Sequence, residues 1–139
     1  MAKMSNYLED EILDHILLGA GGAWSAPATI YMALVITDPI TDASTGSTMT
    51  EVADLYNYSR QSVVFGAATA GVSSNTVAAT SFTASGGGGF GTVIATALVD
   101  TDTHGAGKIL FFDNDLTDTL INEDDTLQFA VGDVDVTMD

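Results

Sequence analysis

The chain has 139 residues, a length that fits one domain. Three Lys and Arg against 19 Asp and Glu give a formal charge of −16, which excludes binding to nucleic-acid backbones or anionic membranes, since both need clustered cations. With 46% apolar and 16% charged residues and no cysteine, the chain has material for a core, and it has no disulfides, thiolate zinc sites or cysteine nucleophiles.

The first element is a helix. Leu8, Ile12, Leu13, Ile16 and Leu17 recur at helical spacing. Asn6 and Glu9 suggest a capping box, and Glu9, Asp10 and Glu11 suit the positive N-terminal end of a helix. Gly19 is a natural stop, with Gly21 and Gly22 in a turn beyond it. The spacing predicts a helix over 6–18, with Leu8, Ile12, Ile16 and Leu17 buried and Glu9 and Asp10 outside. The acidic start is unlike a signal peptide, and no run reaches the ~18–20 apolar residues of a membrane-spanning helix.

Strand patterns follow. Thr29 to Ile36 is a near-continuous apolar run, as in a central strand buried on both faces. Residues 38–50, rich in Thr, Ser, Asp and Gly, read as a long surface loop. Further strands are predicted at Ser62 to Phe65, Thr76 to Phe82, Thr92 to Val99, Lys108 to Phe112, Thr126 to Phe129 and Val134 to Met138, the last alternating apolar and polar. One helix and seven strands predict a mainly β protein: an antiparallel β-sandwich or jelly-roll-like barrel with one short N-terminal α-helix. The expected division is 1–22 as helix and linker and 23–139 as a single sandwich domain. No fixed repeat, heptad stretch or collagen-like triplet supplies a fibrous shaft.

Candidate chemistry is sparse. His15 and His104 are the only histidines, and neither has a second ligand at a metal-binding spacing. The segment Asp113-Asn114-Asp115-Leu116-Thr117-Asp118 resembles the start of a calcium loop. However, Asp118 stands where the EF-hand needs glycine, and Asp124 stands where it needs glutamate. Gly86 to Gly91 lacks the Lys of a phosphate loop and reads as a flexible tip. No Gly-x-Ser-x-Gly elbow occurs. No catalytic residue, metal site or cofactor is therefore expected. Arg60, the only arginine, carries a five-donor fork suited to a carboxylate, either inside the chain or across an interface.

Several segments, in order, give the chain a resemblance. They are Ser5-Asn6-Tyr7-Leu8-Glu9 leading to Ile12-Leu13-Asp14-His15, then Tyr31-Met32-Ala33-Leu34, Asp38-Pro39 and Glu51-Val52. Tyr58-Ser59-Arg60-Gln61-Ser62-Val63-Val64-Phe65, Phe90-Gly91-Thr92-Val93 and Asp125-Thr126-Leu127-Gln128-Phe129 complete the set. The chain resembles a group of small tailed-bacteriophage virion proteins, described as tail-fibre-like. It departs from them in having Phe90 where Trp is common, and Asn57-Tyr58 where Gly-Gly-Tyr is common. The resemblance implies a non-enzymatic virion component, assembled in the host cytoplasm.

Small size, acidity and the missing shaft favour a head decoration, or cement, protein bound to the major capsid protein or other virion proteins. A tail-fibre or tail-tip module is the alternative, and a carbohydrate-binding sandwich the third reading. A homo-oligomer is expected, first of all a trimer, with Arg60, Phe90, Ile12 and Ile16 at its interface and no nucleic-acid or membrane partner. No charged residue lies between Gln61 and Val99, so part of that stretch, the Gly86 to Phe90 loop above all, is expected to touch a neighbour.

Overall fold

Because the run at Thr29 to Ile36 is apolar on both sides of its pleat, it can be covered on both faces. It forms β2 (Ile30–Ile36), with Met32, Ala33, Leu34 and Val35 buried. The structure is a computed structural model and describes residues 2–18 and 24–138. On one side β2 pairs antiparallel with β3 (Gln61–Val63), and on the other with the nine-residue β6 (Gly91–Val99). The far edge of β6 pairs with β7 (Ile109–Asp113) along its C-terminal half and with β8 (Thr119–Ile121) at its start. β1 (Lys3–Met4) adds to β7, giving the order β1-β7-β6-β2-β3. Two small antiparallel sheets complete the fold: β4 (Val72–Ser74) with β10 (Asp135–Thr137), and β5 (Thr80–Thr83) with β9 (Thr126–Phe129).

Alternation along β2 divides the core. Met32 and Leu34 face a layer holding Phe82, Leu127 and Phe129 of the β5–β9 pair and Val136 of β10, so both small sheets cover this face. Ala33 and Val35 face the other way, with Ala95, Ala97, Val99 and Ile109. The protein is thus a mainly antiparallel β-sandwich with one short N-terminal helix. The small alanines let the 38–50 loop close the second face. That loop is not wholly superficial, since Ile40 is buried and Met49 packs beside it. Asn114 fixes Ile40 reciprocally, its amide donating to the Ile40 carbonyl (2.8 Å) and its oxygen accepting from the Ile40 N–H (2.9 Å).

Ten strands occur among the described residues, against seven predicted. β1, β4 and β8 are two or three residues long, too short to show a period of two. Of the predicted strand Thr76 to Phe82, only the part from Thr80 is extended and paired.

The helix α1 (Asn6–Leu17) corrects the sequence expectation twice. Its N-cap is Ser5, not Asn6, and the Ser5 hydroxyl accepts from the Leu8 N–H at 3.3 Å. The same hydroxyl donates to the Ile109 carbonyl, and Ser5 N–H donates to Leu110 (3.0 Å), so one buried serine starts the helix and ties it to β7. Its apolar face is also only partly used. Leu8 is buried and Ile12 half-buried, but Ile16 is 68% and Leu17 74% exposed. The helix touches β7 through its first turns and then leaves the body. Its C-cap is Leu18, and the expected stop at Gly19, Gly21 and Gly22 lies outside the described residues. Leu8→Ala is expected to cost about 2–5 kcal/mol as a core truncation. Leu17→Ala should stay within about 0.5 kcal/mol in the isolated chain, as exposed positions do. Urea unfolding of the two variants checks the difference.

Candidate functional site

The most elaborate polar arrangement is built from three residues of the segments that carry the resemblance. Residues 50–52 run beside the end of β2, through Ile36 N–H to Thr50 O (2.9 Å) and Val52 N–H to Leu34 O (3.0 Å), which presents Glu51 toward the interior. The chain reverses at Tyr56 and Asn57, both at positive φ (55° and 67°), and brings Tyr58 and Arg60 back onto Glu51. Arg60 grips the carboxylate with two prongs, Nε to Oε1 at 2.8 Å and Nη2 to Oε2 at 2.7 Å. Its Nη1 donates to the carbonyls of Thr101 (2.9 Å) and Ala106 (3.0 Å). Tyr58 hydroxyl and Gly105 N–H give Glu51 its remaining donors, at 2.9 and 3.1 Å.

With four donors on its two oxygens, Glu51 is satisfied, and Arg60 and Glu51 are almost wholly shielded from water. Such a pair holds its loop by desolvated, forked hydrogen bonds. Here the 101–106 loop is clamped to the strand end. His104 closes the rim, its Nε2 lying 2.9 Å from the Val52 carbonyl; since a carbonyl only accepts, that nitrogen carries the proton.

Tyr58 belongs to both the node and the core. Its hydroxyl accepts from Leu34 N–H (3.0 Å), while its ring stacks on Phe82 (6.1 Å, 15°) and meets the edge of Phe90 (5.5 Å, 78°). Burial, then the neighbouring Glu51 charge, holds its pKa well above the ordinary phenol value. The folded state therefore retains this proton more tightly than the unfolded state. The resulting stability is fully present below the unfolded value of about 10 and is lost progressively above it. In an alkaline titration followed by tyrosinate absorbance, one of the four tyrosines should stay protonated until the chain unfolds. Tyr58→Phe should remove that late step.

The residues expected at an interface fall into two groups. Arg60 and Phe90 are each 5% exposed and spent within the chain, so the acid awaiting Arg60 is its own Glu51. Ile16 is exposed and Ile12 half-buried. The glycine run is divided: Gly86 and Gly87 are exposed with open space around them, whereas Gly88 and Gly89 are packed. A Cβ on Gly88 would lie 2.6 Å from the Tyr56 ring, and one on Gly89 would lie 2.1 Å from the Ile121 carbonyl oxygen. Gly87 N–H donates to Glu123 (2.8 Å). Gly88 and Gly89 allow close packing, with Phe90 buried next to them.

In the calcium-like segment, Asp115 N–H donates to Asp113 (2.9 Å) and Asn114 is engaged with Ile40, as in a local turn. His15 stands exposed on α1. Among the described residues, no three His, Asp or Glu side chains come together as a metal-binding group, and no helix is long and apolar enough to cross a membrane.

Two features escaped the sequence. One is Asn75, 1% exposed, which holds the turn before β10: its side-chain amide donates to Ala130 O (3.0 Å), and its oxygen accepts from the N–H of Gly132 (2.8 Å) and Val134 (3.1 Å). The other is a cleft of about 570 Å³ between β10 and β7, with Met32, Leu98, Phe111 and Phe129 among its apolar lining. Asp113, Asp115, Asp133 and Asp135 also line it. Asn in a Ser-Ser-Asn-Thr run signals only a turn, and a cleft between distant strands has no local signature.

The node thus serves to clamp the sandwich's own loops. Over residues 3–137 the chain matches the family described as podophage GP4 fiber I protein gp80. It belongs to that family, which makes it a fibre-related structural component of the phage virion. No curated protein matches it.

Proposed function

We propose that this chain is a tail-fibre or tail-tip structural module that works through assembly contacts and not through catalysis. The match to a fibre family across residues 3–137 carries this reading, and it favours the tail over head decoration. The assignment of the polar residues Glu51, Tyr58 and Arg60 to internal clamping supports a non-enzymatic role. The copy number in purified virions, with antibody labelling in the electron microscope, tests it. A handful of copies at the tail is expected, and hundreds on the head would overturn it.

The module is further proposed to form a homo-oligomer, first of all a trimer, in the host cytoplasm before it joins the virion. Leu13, Ile16, Leu17 and Leu18, 54% to 74% exposed, form an apolar patch at one end of α1 that a neighbour would cover. Sedimentation of the purified chain should show the oligomer, and Ile16→Asp should release monomers. A wild-type monomer at all concentrations would refute this.

A further inference from the structure

The cleft beside β10 has an unusual wall. A strand lining a cavity with one face contributes alternate residues, but Asp133 through Thr137 all line this one. The cleft therefore runs along the edge of β10. Pairing shows which edge. Val136 is opposite Ser73, Asn75 N–H donates to Val134 O, and Met138 N–H donates to Gly71 O, so the even-numbered residues bond to β4. The amides and carbonyls of Asp135 and Thr137 then point away from β4, and among the described residues β4 is the only strand paired with β10. The cleft continues into a second, almost wholly apolar recess of about 230 Å³, which shares Leu98, Phe111 and Val136 with it.

An open strand edge, an apolar floor and a row of carboxylates suit an extended segment with apolar side chains facing inward and cations at the rim. This chain cannot supply it. Its three cations are placed elsewhere: Lys3 lies in β1 paired with β7, Arg60 is buried, and Lys108 sits over the Tyr7 ring at 5.3 Å; the exposed end of α1 carries Asp14 and no Lys or Arg. A second copy would bring negative charge to a negative rim.

We propose that this cleft receives an extended, Lys- or Arg-bearing apolar segment of a different virion protein, added as a strand to the outer edge of β10. The proposal rests on the fibre-module reading, because it requires a second virion protein. Its test does not depend on where the module sits, so the copy-number experiment can fail separately.

The probe is a fluorescent ten-residue peptide of alternating Lys and Val, titrated into the full chain by anisotropy. Saturable one-to-one binding is expected. Asp135→Lys should weaken it at least tenfold, whereas Asp54→Lys, an equal change in net charge at another exposed site, should leave it within about twofold. Thr137→Pro removes one outward amide without touching the β4 bonds and should also weaken binding at least tenfold. The Asp135 and Asp54 pair decides the matter if that variant misfolds. Absence of saturable binding would overturn the proposal. Equal loss in Asp135→Lys and Asp54→Lys would do the same, since binding would then follow net charge alone. So would self-association abolished by Asp135→Lys, which would make a second copy the occupant, or binding of neutral oligosaccharides in place of the peptide.

Discussion

Arg60→Ala is expected to destabilise the fold by about 3–5 kcal/mol, the cost of stranding a buried carboxylate. Against a usual domain stability of about 5–15 kcal/mol, that is a large fraction. Alanine leaves Glu51 with the Tyr58 hydroxyl and Gly105 N–H but no cation, and leaves the Thr101 and Ala106 carbonyls without their shared donor. Lysine cannot reproduce the fork, so Arg60→Lys should also lose stability, though less. Replacing both members of the pair, as in Glu51→Leu with Arg60→Met, should cost less than the two single changes added together, because no charge is then left buried. Urea midpoints for the wild type, Arg60→Ala, Arg60→Lys, Glu51→Leu, Arg60→Met and the double variant test this. A loss under about 1 kcal/mol for Arg60→Ala would mean that water reaches the node. Exchange of the Gly105 amide, whose acceptor is Glu51, should quicken in the variant.

Phe82→Ala is expected to cost about 3–5 kcal/mol, as large aromatic truncations in cores do. Phe82 is 2% exposed and stacks on Tyr58. It fastens the β5–β9 pair to the main sheet, so its loss opens a cavity between the two layers of the sandwich. The exposed Val77, nearby in the chain, provides the control: Val77→Ala should stay within about 0.5 kcal/mol. An unchanged denaturant slope would show that the variant loses stability and not compactness.

The long strands were legible because their periodicity is local. Ile30–Ile36 and Gly91–Val99 carry enough consecutive apolar residues to announce burial on both faces. The resemblance also rested on residues that prove to be fold determinants. Glu51, Tyr58 and Arg60 form the buried node, and Gly91, at φ 83°, follows the packed Phe90. The sequence offered Arg60 two partners, inside or outside the chain. Choosing between them required knowing that a reversal at Tyr56 and Asn57 returns Arg60 to Glu51.

By itself, then, the sequence determined a mainly β fold with one N-terminal helix, and its lack of cysteine removed thiol chemistry. Its segments in order pointed to a phage virion protein. Tertiary structure alone decided which apolar residues are covered. The same helical spacing that buries Leu8 leaves Ile16 and Leu17 in water, because no other described part of the chain covers the later turns of the helix. It also decided that Gly88 and Gly89 are packed and that Asn75 is a buried hub. The open edge of β10 beside an acidic cleft is likewise a tertiary fact. Burial, pairing and clefts arise between residues far apart in the chain, and no local pattern records which distant segment will arrive.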